Sequence, residues 1–397
     1  MKIAFINSFY HSGSTGNIVF ELAKYCRQQG NEVKVFYGRG KKVDKQEATK
    51  VGGFISLYWH KTMAFLFDKE GVYSHVATKR LVKELKAFHP DVVNLHNLHG
   101  HYLSYSLLFD YFQKEKIQVI WTLHDSWAFT GHCPFPETYQ CTKYKTACHQ
   151  CPGRKDYPAS LVFDRSKQNY ISKKQIFTHM RQLHFICPSN YMQAQLKSSF
   201  LSAYPSVVIY NGVNNQVPLL HKKETSFTEP ITTILAIANV WDFRKNIKDI
   251  NHLASLLNAN QEIILVGKVK GNVKINQRIK TVGFIESKEQ IKRLYHTSSV
   301  VFNPSIGDNF PMINLEALAN GTAVIAYDVG GNKEIINEHN GLLLQSSDPL
   351  RFEKMLTFIS NQLFLMRDHI SLDTKFSVDN FCKNYLAYFN QVMEEKR

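Results

Sequence analysis

Residues 304–321 read PSIGDNFPMINLEALANG and follow a short apolar run at residues 299–303. The run predicts a buried strand, and Pro311 suits the first turn of a helix, where the N–H that proline lacks would have no partner. We predict a helix that begins near Pro311 and ends near Gly321. The free N–H groups and positive dipole at its start favour a diphosphate. Glu316 lies about one and a half turns in, within reach of a ribose diol.

The same stretch resembles the Glu-x7-Glu motif of retaining family-4 glycosyltransferases. The matching residues are Pro304, Ser305, Phe310, Pro311, Glu316, Ala317, Gly321 and Val324. Asp308 stands in place of the first glutamate, and Asn309 in place of a glycine. The resemblance implies that Asp308 contacts the transferred sugar and that Glu316 binds the ribose. The implied donor site also includes Asn309, Phe310, Pro311, Met312 and Ile313. Because the aspartate is about one methylene shorter than glutamate, the donor sugar is the property least fixed by the resemblance.

The loop at 239–246 resembles a second segment of the family, in which an arginine and a lysine clamp the donor pyrophosphate. Lys245 takes the position of the lysine, whereas Asn239 holds that of the arginine. We expect Arg244 to supply the missing guanidinium, since a diphosphate needs permanent cations beside it. The alternative is an exposed Arg–Lys pair in a basic chain.

Two further segments are similar to the same family. Residues 328–336 with 340–344 resemble its GGxxEII and xGxLV patterns, and residues 265–268 resemble a strand end that places Gly267 at the donor.

In the first half, the loop at 11–17 leads from a predicted strand into a helix. Its small residues, Gly13, Ser14, Thr15 and Gly16, resemble the Gly-rich loop with which the family approaches the donor phosphates. The loop is not GxGxxG, and no acidic residue ends the second predicted strand, so a nicotinamide cofactor is disfavoured.

His124 follows the predicted strand at 118–123, within a segment that resembles the THD motif of the family. The histidine of that motif reaches the donor sugar, so His124 is our candidate polar contact at the anomeric end of that sugar. A core histidine is the alternative, but the carboxyl end of a buried strand normally faces the ligand site.

Short β-rich runs alternate with amphipathic helical stretches along the chain, which is typical of α/β layers around parallel sheets. In the first half the predicted strands are residues 2–7, 32–37, 91–95, 118–123, 184–187 and 207–210. In the second half they are residues 232–238, 262–266, 280–284, 299–303, 323–327 and 342–344. We predict an α/β protein with two doubly wound, Rossmann-like domains facing across a cleft, the GT-B architecture that the resemblance implies.

The domain boundary is predicted at the polar stretch 218–230. Residues 1–217 are predicted to form the acceptor-side domain, with a Cys-rich insertion at 131–152. Residues 231–377 are predicted to form the nucleotide-sugar-binding domain. A final helix at 378–397 is left open to pack on either domain, including a return to the first.

Four of the seven cysteines lie close together in the insertion: Cys133, Cys141, Cys148 and Cys151. Four thiolates suffice for a tetrahedral structural zinc. Their spacing is less regular than two CxxC pairs, so reduced thiols stay an alternative and disulfides are a third. The stretch resembles an insertion in bacterial family-4 enzymes that build surface polysaccharides. Because it follows His124, we assign it to the acceptor side.

The formal net charge of +15 is concentrated in the first half of the chain, where residues 1–200 carry 27 Lys and Arg against 14 Asp and Glu. This basic half is suited to an anionic partner, such as a membrane or a lipid pyrophosphate, although a solvated surface explains it equally. A basic amphipathic stretch at 76–88 suits a membrane surface. We expect it instead to pack on the sheet, because it leads directly into a predicted strand.

The first ten residues lack the apolar region and cleavage site of a signal peptide, and no apolar run approaches the ~18 residues of a membrane span. We therefore predict a cytoplasmic protein. Peripheral contact with the inner face of the cell membrane stays open.

The function that the resemblance implies is transfer of a hexose from a nucleotide sugar to a growing, lipid-linked surface glycan. The transfer would retain the anomeric configuration and use no catalytic metal or cofactor, because fixed cations stabilise the leaving diphosphate. One alternative is a basic nucleic-acid-binding protein with a zinc knuckle, but we find no RNP-like motif and expect no nucleic-acid partner. Another is a different GT-B enzyme, such as a nucleotide-sugar epimerase or a phosphorylase.

Overall fold

The computed structural model describes residues 1–214, 232–366 and 370–395, so the predicted linker at 218–230 lies outside the described residues. The chain divides into two compact units. The first contains Met1–Asn211 and Asp379–Arg397, and the second contains Gly212–Val378. Each unit has a hydrophobic core of its own.

Seven parallel strands form the sheet of the first unit. They are β1 Lys2–Phe9, β2 Glu32–Arg39, β3 Thr49–Lys50, β4 Val92–Leu95, β5 Gln118–Thr122, β6 Leu183–Cys187 and β7 Ser206–Val208. Their order across the sheet is β3-β2-β1-β4-β5-β6-β7, and every pairing is parallel. The order reverses between β1 and β4, which makes this the switch point where ligands of doubly wound sheets bind.

Six parallel strands form the sheet of the second unit. They are β8 Thr232–Trp241, β9 Gln261–Val269, β10 Ile279–Gly283, β11 Val300–Asn303, β12 Ala323–Tyr327 and β13 Gly341–Leu344. Their order is β10-β9-β8-β11-β12-β13, again with every pairing parallel. The switch point lies between β8 and β11. Both sheets therefore confirm the predicted doubly wound α/β class.

Helices connect these strands. In the first unit they are α1 Gly13–Gln28, α2 Phe54–Phe67, α3 His75–Phe88, α4 Tyr105–Glu115, α5 Ser166–Thr178 and α6 Asn190–Lys197. In the second unit they are α7 Ile247–Leu256, α8 Lys288–Thr297, α9 Met312–Ala319, α10 Asn332–Ile335, α11 Arg351–Asn361 and α12 Leu363–Met366. The last helix, α13 Val378–Glu394, lies almost entirely in the first unit, where the Tyr385 hydroxyl donates to Thr122 Oγ1 over 3.1 Å.

Two strands of the second unit run further than their sequences predict. The prediction that a strand ends at residue 238 is wrong: β8 continues to Trp241 across a register shift between Ile237 and Val240. The buried indole of Trp241 donates to the Val266 carbonyl over 2.9 Å, which fixes the extension. Likewise β9 continues past Val266 to Val269.

Two consecutive helices of the first unit bury different amounts of apolar surface. Helix α3 packs its Leu81, Leu85 and Phe88 into the core, which confirms that the stretch at 76–88 lies on the sheet. Helix α2 buries only His60 and Ala64. Within the described residues, no helix combines the length and the apolarity that a membrane span requires.

Candidate active site

Helix α9 begins where the sequence predicts, with Pro311 as its N-cap. A chain of buried amides holds the helix in place. Asn303 at the end of β11 donates to Asn314 over 3.0 Å, and Asn314 donates to Asn332 over 2.8 Å. Because both partners follow neighbouring strands, the start of α9 is fixed against the carboxyl edge of the sheet.

Arg244, Lys245 and Asp308 meet at the switch point of the second sheet. Lys245 Nζ lies 2.6 Å from Asp308 Oδ2, and an Arg244 guanidinium nitrogen lies 3.7 Å from the same oxygen. Arg244 also donates to the carbonyl of Gly307 over 2.6 Å. The structure therefore brings these three predicted residues together, rather than leaving Arg244 and Lys245 as an exposed pair.

Burial and charge act against each other in this cluster. Burial tends to raise the pKa of Asp308, but the charges of Lys245 and Arg244 outweigh it and hold that pKa below its ordinary value. Burial lowers the pKa of Lys245, against the attraction of Asp308. The carboxylate is thus ionised at neutral pH and compensates a cation that the site keeps partly out of water.

A glycine pair supports the loop that carries Asp308. Gly330 has a φ of 60°, and a Cβ at this position would lie 1.6 Å from the carbonyl oxygen of Asp308. The next residue, Gly331, donates its N–H to the Asn309 carbonyl over 2.8 Å. Only glycine allows this approach, which explains the predicted pattern at 328–336 in physical terms.

Glu316 lies half-buried on α9 and accepts a hydrogen bond from the Tyr295 hydroxyl over 3.0 Å. Burial raises the pKa of Glu316, although the bond from Tyr295 works the other way. The bond orients the carboxylate. Sequence reasoning missed Tyr295, because nothing near it in the chain indicates a partner on α9.

The remaining predicted donor residues occupy different surroundings. Asn309 and Phe310 are buried, and the Phe310 ring lies 5.9 Å from that of Phe376. Met312 and Ile313 are half-buried in the first turn of α9.

Gly267 lies inside β9 rather than at a strand end. Its φ is 122°, and a Cβ would lie 1.8 Å from the carbonyl oxygen of Ala238. Close packing of β8 against β9 therefore accounts for this glycine.

In the first unit, Gly13, Ser14, Thr15 and Gly16 form the first turn of α1, beside the end of β1. Gly13 and Ser14 are exposed, whereas Gly16 packs against the backbone of Phe9. Asn7 donates to Thr15 over 3.4 Å and accepts from the backbone N–H of Asn97 over 3.2 Å. The loops after β1 and β4 are thereby joined across the switch point.

His124 belongs to a hydrogen-bond chain that fixes its tautomer. The amide nitrogen of Asn94 donates to the Ile120 carbonyl over 2.8 Å, so its oxygen is the acceptor facing His96 Nε2 at 2.8 Å. His96 then carries its proton on Nε2 and accepts on Nδ1 from His124 Nε2, also over 2.8 Å. Burial lowers the pKa of His96 and lowers that of His124 to about 4. His124 is thus neutral at pH 7, with an unprotonated Nδ1.

The residue after His124 joins a second polar chain. Asp125 lies 2.8 Å from His99 Nε2 and accepts from the backbone N–H of Trp127 over 2.9 Å. The other ring nitrogen of His99 bonds the Tyr157 hydroxyl over 2.9 Å. The loop that carries His124 is therefore tied to the segment that follows the Cys-rich insertion.

The four cysteines of the insertion border one small cavity. The side chains of Cys133, Cys141, Cys148 and Cys151 line it together with His132 and His149. A hydrogen bond with Cys133 lowers the pKa of Cys151 to about 7. All seven cysteines lie in the described part of the chain as free thiols. These soft donors suit zinc in type and number, and the zinc ion itself stays a prediction.

In the described part of the chain, the group of residues that meets the distance for one metal ion lies outside the insertion and does not include these cysteines. Within the described residues, ligand atoms of His60, Glu70 and His101 lie within 4.8 Å of one another. Each already has protein partners: Glu70 accepts from the backbone N–H of His101 over 2.8 Å and pairs with its ring, and His60 accepts from the Gly71 N–H over 3.1 Å. These bonds hold the turn at His101, whose φ is 65°. We interpret this group as a structural network.

Comparison with known families decides the class of the protein. The model of Glycosyltransferase Family 4 matches residues 15–217, more than half of the chain. The chain belongs to glycosyltransferase family 4. A second model, Glycosyl transferases group 1, matches residues 221–370 of the enzyme. The family assignment decides between the functions considered above in favour of glycosyl transfer.

Related proteins support the assignment along most of the chain. The enzyme is 27% identical over 380 residues to an Escherichia coli protein described as "Putative colanic acid biosynthesis glycosyl transferase WcaC", with 89% of this chain and 90% of that protein covered. It is also 30% identical over 181 residues to an uncharacterized glycosyltransferase of Methanocaldococcus jannaschii, covering 45% of this chain and 50% of that protein.

Solved structures show the fold. Sucrose-phosphate synthase of Thermosynechococcus elongatus matches with a TM-score of 0.69 at 16% identity, covering 99% of both chains. HepE of Anabaena in complex with UDP-glucose matches with a TM-score of 0.67 at 14% identity, covering 98% of this chain and 100% of that one. These neighbours confirm the predicted GT-B fold of the family-4 enzyme.

Proposed function

We propose that the enzyme transfers a hexose from a nucleotide sugar, with retention of the anomeric configuration, to a growing lipid-linked surface glycan in the cytoplasm. The cluster of Arg244, Lys245 and Asp308 at the start of α9 carries this proposal. Two cations and a helix N-terminus converge at the switch point of the sheet, where a diphosphate would bind. The relative WcaC is named for colanic acid biosynthesis, which supports a surface glycan as the product.

The proposed reaction breaks the bond between the anomeric carbon and the diphosphate oxygen and forms one to an acceptor hydroxyl oxygen. The proton of that hydroxyl passes to the departing diphosphate. Lys245 and Arg244 stabilise the charge that develops on the leaving group, and a catalytic metal is then unnecessary. Asp308 holds Lys245 at 2.6 Å before the donor arrives, and its carboxylate becomes available to the sugar once the diphosphate takes the lysine.

Glu316 and His124 have separate roles in this proposal. The carboxylate of Glu316, oriented by Tyr295, accepts hydrogen bonds from the ribose diol. Neutral His124 is the polar contact for a sugar hydroxyl in this proposal. Neither residue transfers a proton in the step.

A thermal-shift screen of nucleotide sugars tests the donor site. We expect one nucleotide sugar to raise the melting temperature, and UDP-hexoses come first because the neighbour HepE was solved with UDP-glucose. The increase should persist in EDTA and disappear in Lys245→Met. If no nucleotide sugar stabilises the protein, the donor-site proposal fails. An anomeric proton NMR spectrum of the product then tests retention.

A further inference from the structure

Helix α2 exposes five of its ten apolar side chains to solvent. Phe54 is 73% exposed, Ile55 83% and Trp59 60%. Tyr58 packs its ring 4.4 Å from that of Phe54, also on the outside. A helix that only has to cover a core buries such residues, so this outward surface needs another explanation.

A second exposed segment continues the surface. Leu161 donates its N–H to the carbonyl of Phe65 over 3.0 Å, and the ring of Phe163 stacks on that of Phe67 at 5.8 Å. We call the combined surface the apolar face. Its exposed members are Phe54, Ile55, Tyr58, Trp59, Phe65, Leu161, Val162 and Phe163.

The charges beside helix α2 are positive, whereas both signs, Arg154 and Asp164, flank the second segment of the apolar face. The chain has no acidic residue between Glu47 and Asp68, whereas Lys50 and Lys61 lie in that interval and are exposed. Residues 1–200 carry 27 basic and 14 acidic side chains. A second copy of the chain would bring like charges together on this face, whereas anionic lipid headgroups would neutralise them.

We propose that the apolar face inserts into the interface of an anionic phospholipid bilayer. Phenylalanine and isoleucine supply apolar area, while Tyr58 and Trp59 have the amphipathic rings that favour the headgroup level. The buried side of α2 is fixed to the unit by polar contacts, such as the 2.7 Å bond between His60 and Ser74. The helix therefore presents the face without having to unfold.

The proposal deepens the acceptor side of the proposed function but does not depend on the donor. Tyr157, just before the second segment, bonds His99, and His99 bonds Asp125, the neighbour of His124. Within the first unit, the apolar face is thus linked by two hydrogen bonds to the loop that carries His124. A bilayer on this face would hold a lipid-linked acceptor on the same unit as His124.

Trp59 offers a direct readout. The other tryptophans, Trp121, Trp127 and Trp241, are buried, so only Trp59 can meet lipid directly. We expect vesicles of phosphatidylglycerol and brominated phosphatidylcholine to quench Trp59, with little quenching when phosphatidylglycerol is left out. Trp59→Phe should remove the quenching while the protein still floats with the vesicles.

Paired variants distinguish vesicle binding through the apolar face from nonspecific binding through any exposed apolar residue. Ile55→Ser with Trp59→Ser should weaken vesicle binding by about a hundredfold, since each removes apolar area from the bilayer. Lys61→Gln should weaken it about fivefold. The matched control is Phe284→Ser with Leu350→Ser, two exposed apolar residues of the second unit, and it should bind like the wild type.

Two results would overturn the proposal. One is equal vesicle binding by the wild type and the Ile55→Ser, Trp59→Ser variant. The other is a lipid-free dimer, seen by sedimentation, that this variant dissociates, because the occupant would then be a second copy. Stabilisation of the same double variant by the nucleotide sugar is measured in parallel. A failure of the donor-site proposal can then be distinguished from a failure of the membrane proposal.

Discussion

Lys245 and Asp308 form a half-buried ion pair, in which the lysine attracts a diphosphate and the carboxylate repels it. We expect Lys245→Met to lower kcat/KM by about 10²–10³-fold, because it removes a preorganised cation from the leaving group. Asp308→Asn should also impair transfer, yet it should bind the nucleoside diphosphate at least as tightly as the wild type, since the lysine loses its competing partner. Calorimetric titration with UDP and initial rates separate the two effects.

Lys248→Met is the matched control for these variants, because Lys248 is exposed on α7, three positions after Lys245. It should leave binding and rate unchanged. Loss of UDP binding in Asp308→Asn would contradict the competition between carboxylate and diphosphate.

Gly330 combines a positive φ with a close approach to the backbone of Asp308. Alanine would place its Cβ 1.6 Å from the Asp308 carbonyl oxygen, so Gly330→Ala should cost about 3 kcal/mol or more and abolish nucleotide-induced stabilisation. Gly321 has a similar φ of 72° but open space around it, so Gly321→Ala should cost only about 1–2 kcal/mol. Melting temperatures with and without the nucleotide measure both. Equal effects of the two substitutions would show that the backbone angle, rather than the clash, dominates.

At the scale of elements, the four cysteines of the Cys-rich insertion predict a zinc site, and the zinc itself stays a prediction. The predicted zinc would link Cys133, Cys141, Cys148 and Cys151, whose side chains line one cavity. We expect about one zinc per chain by elemental analysis. Cys148→Ser should lower the metal content and raise KM for the acceptor, because the segment that directly follows the insertion is tied to the His124 loop.

The control for this test is Cys187→Ser in the core strand β6, which should destabilise the protein without changing its metal content. If Cys148→Ser left both metal content and acceptor kinetics unchanged, the zinc and the acceptor-side assignment would both fail. If the metal content stayed the same but the acceptor kinetics changed, the cluster would be interpreted as reduced thiols.

The elements that could be predicted from sequence are those with a single dominant signal. The run 323–327 is uniformly apolar and lies between Gly321 and Asp328. It forms β12, which begins and ends at the predicted residues, Ala323 and Tyr327. The extension of β8 could not be predicted, because it depends on a bulge and on an indole bond to a strand 25 residues away. Helix α2 could not be predicted from periodicity, because ten of its 14 residues are apolar and leave no clear stripe on one side of the helix.

The residues of the candidate site also divide into those that the sequence predicts and those that it does not. The family motif predicted Asp308 and Lys245, and the switch-point rule explains why loops 63 residues apart meet. Tyr295 carried no local signal, since its contact with Glu316 exists only in the folded unit. The histidine chain was partly predictable, because His96 and His124 each follow a predicted strand. Which histidine nitrogens donate in this chain could be assigned only from the amide of Asn94 in the folded structure.

At the scale of the whole molecule, acid should destabilise the two units unequally. In the first unit, burial lowers the pKa of His60 and His124 to about 4 and also lowers those of His96 and His184. The unfolded chain binds these protons near pH 6.5, so stability is present above that pH and is lost as pH falls toward 4. For the fully buried His60, the loss at pH 5 is on the order of 2 kcal/mol. His132 opposes the trend, because Asp68 outweighs burial and raises its pKa.

The second unit should respond differently, since the raised pKa of Glu316 makes its folded state bind a proton more readily as pH falls. Trp241 is the one tryptophan of the second unit, so single-tryptophan variants can follow each unit separately in urea. We expect the midpoint reported by Trp127 to fall between pH 7 and pH 5, and that reported by Trp241 to stay level or rise slightly. In His60→Gln, the pH dependence at Trp127 should shrink. A Trp241 transition as acid-sensitive as that of Trp127 would mean that the two units unfold as one, and that the buried histidines of the first unit set the acid stability of the whole enzyme.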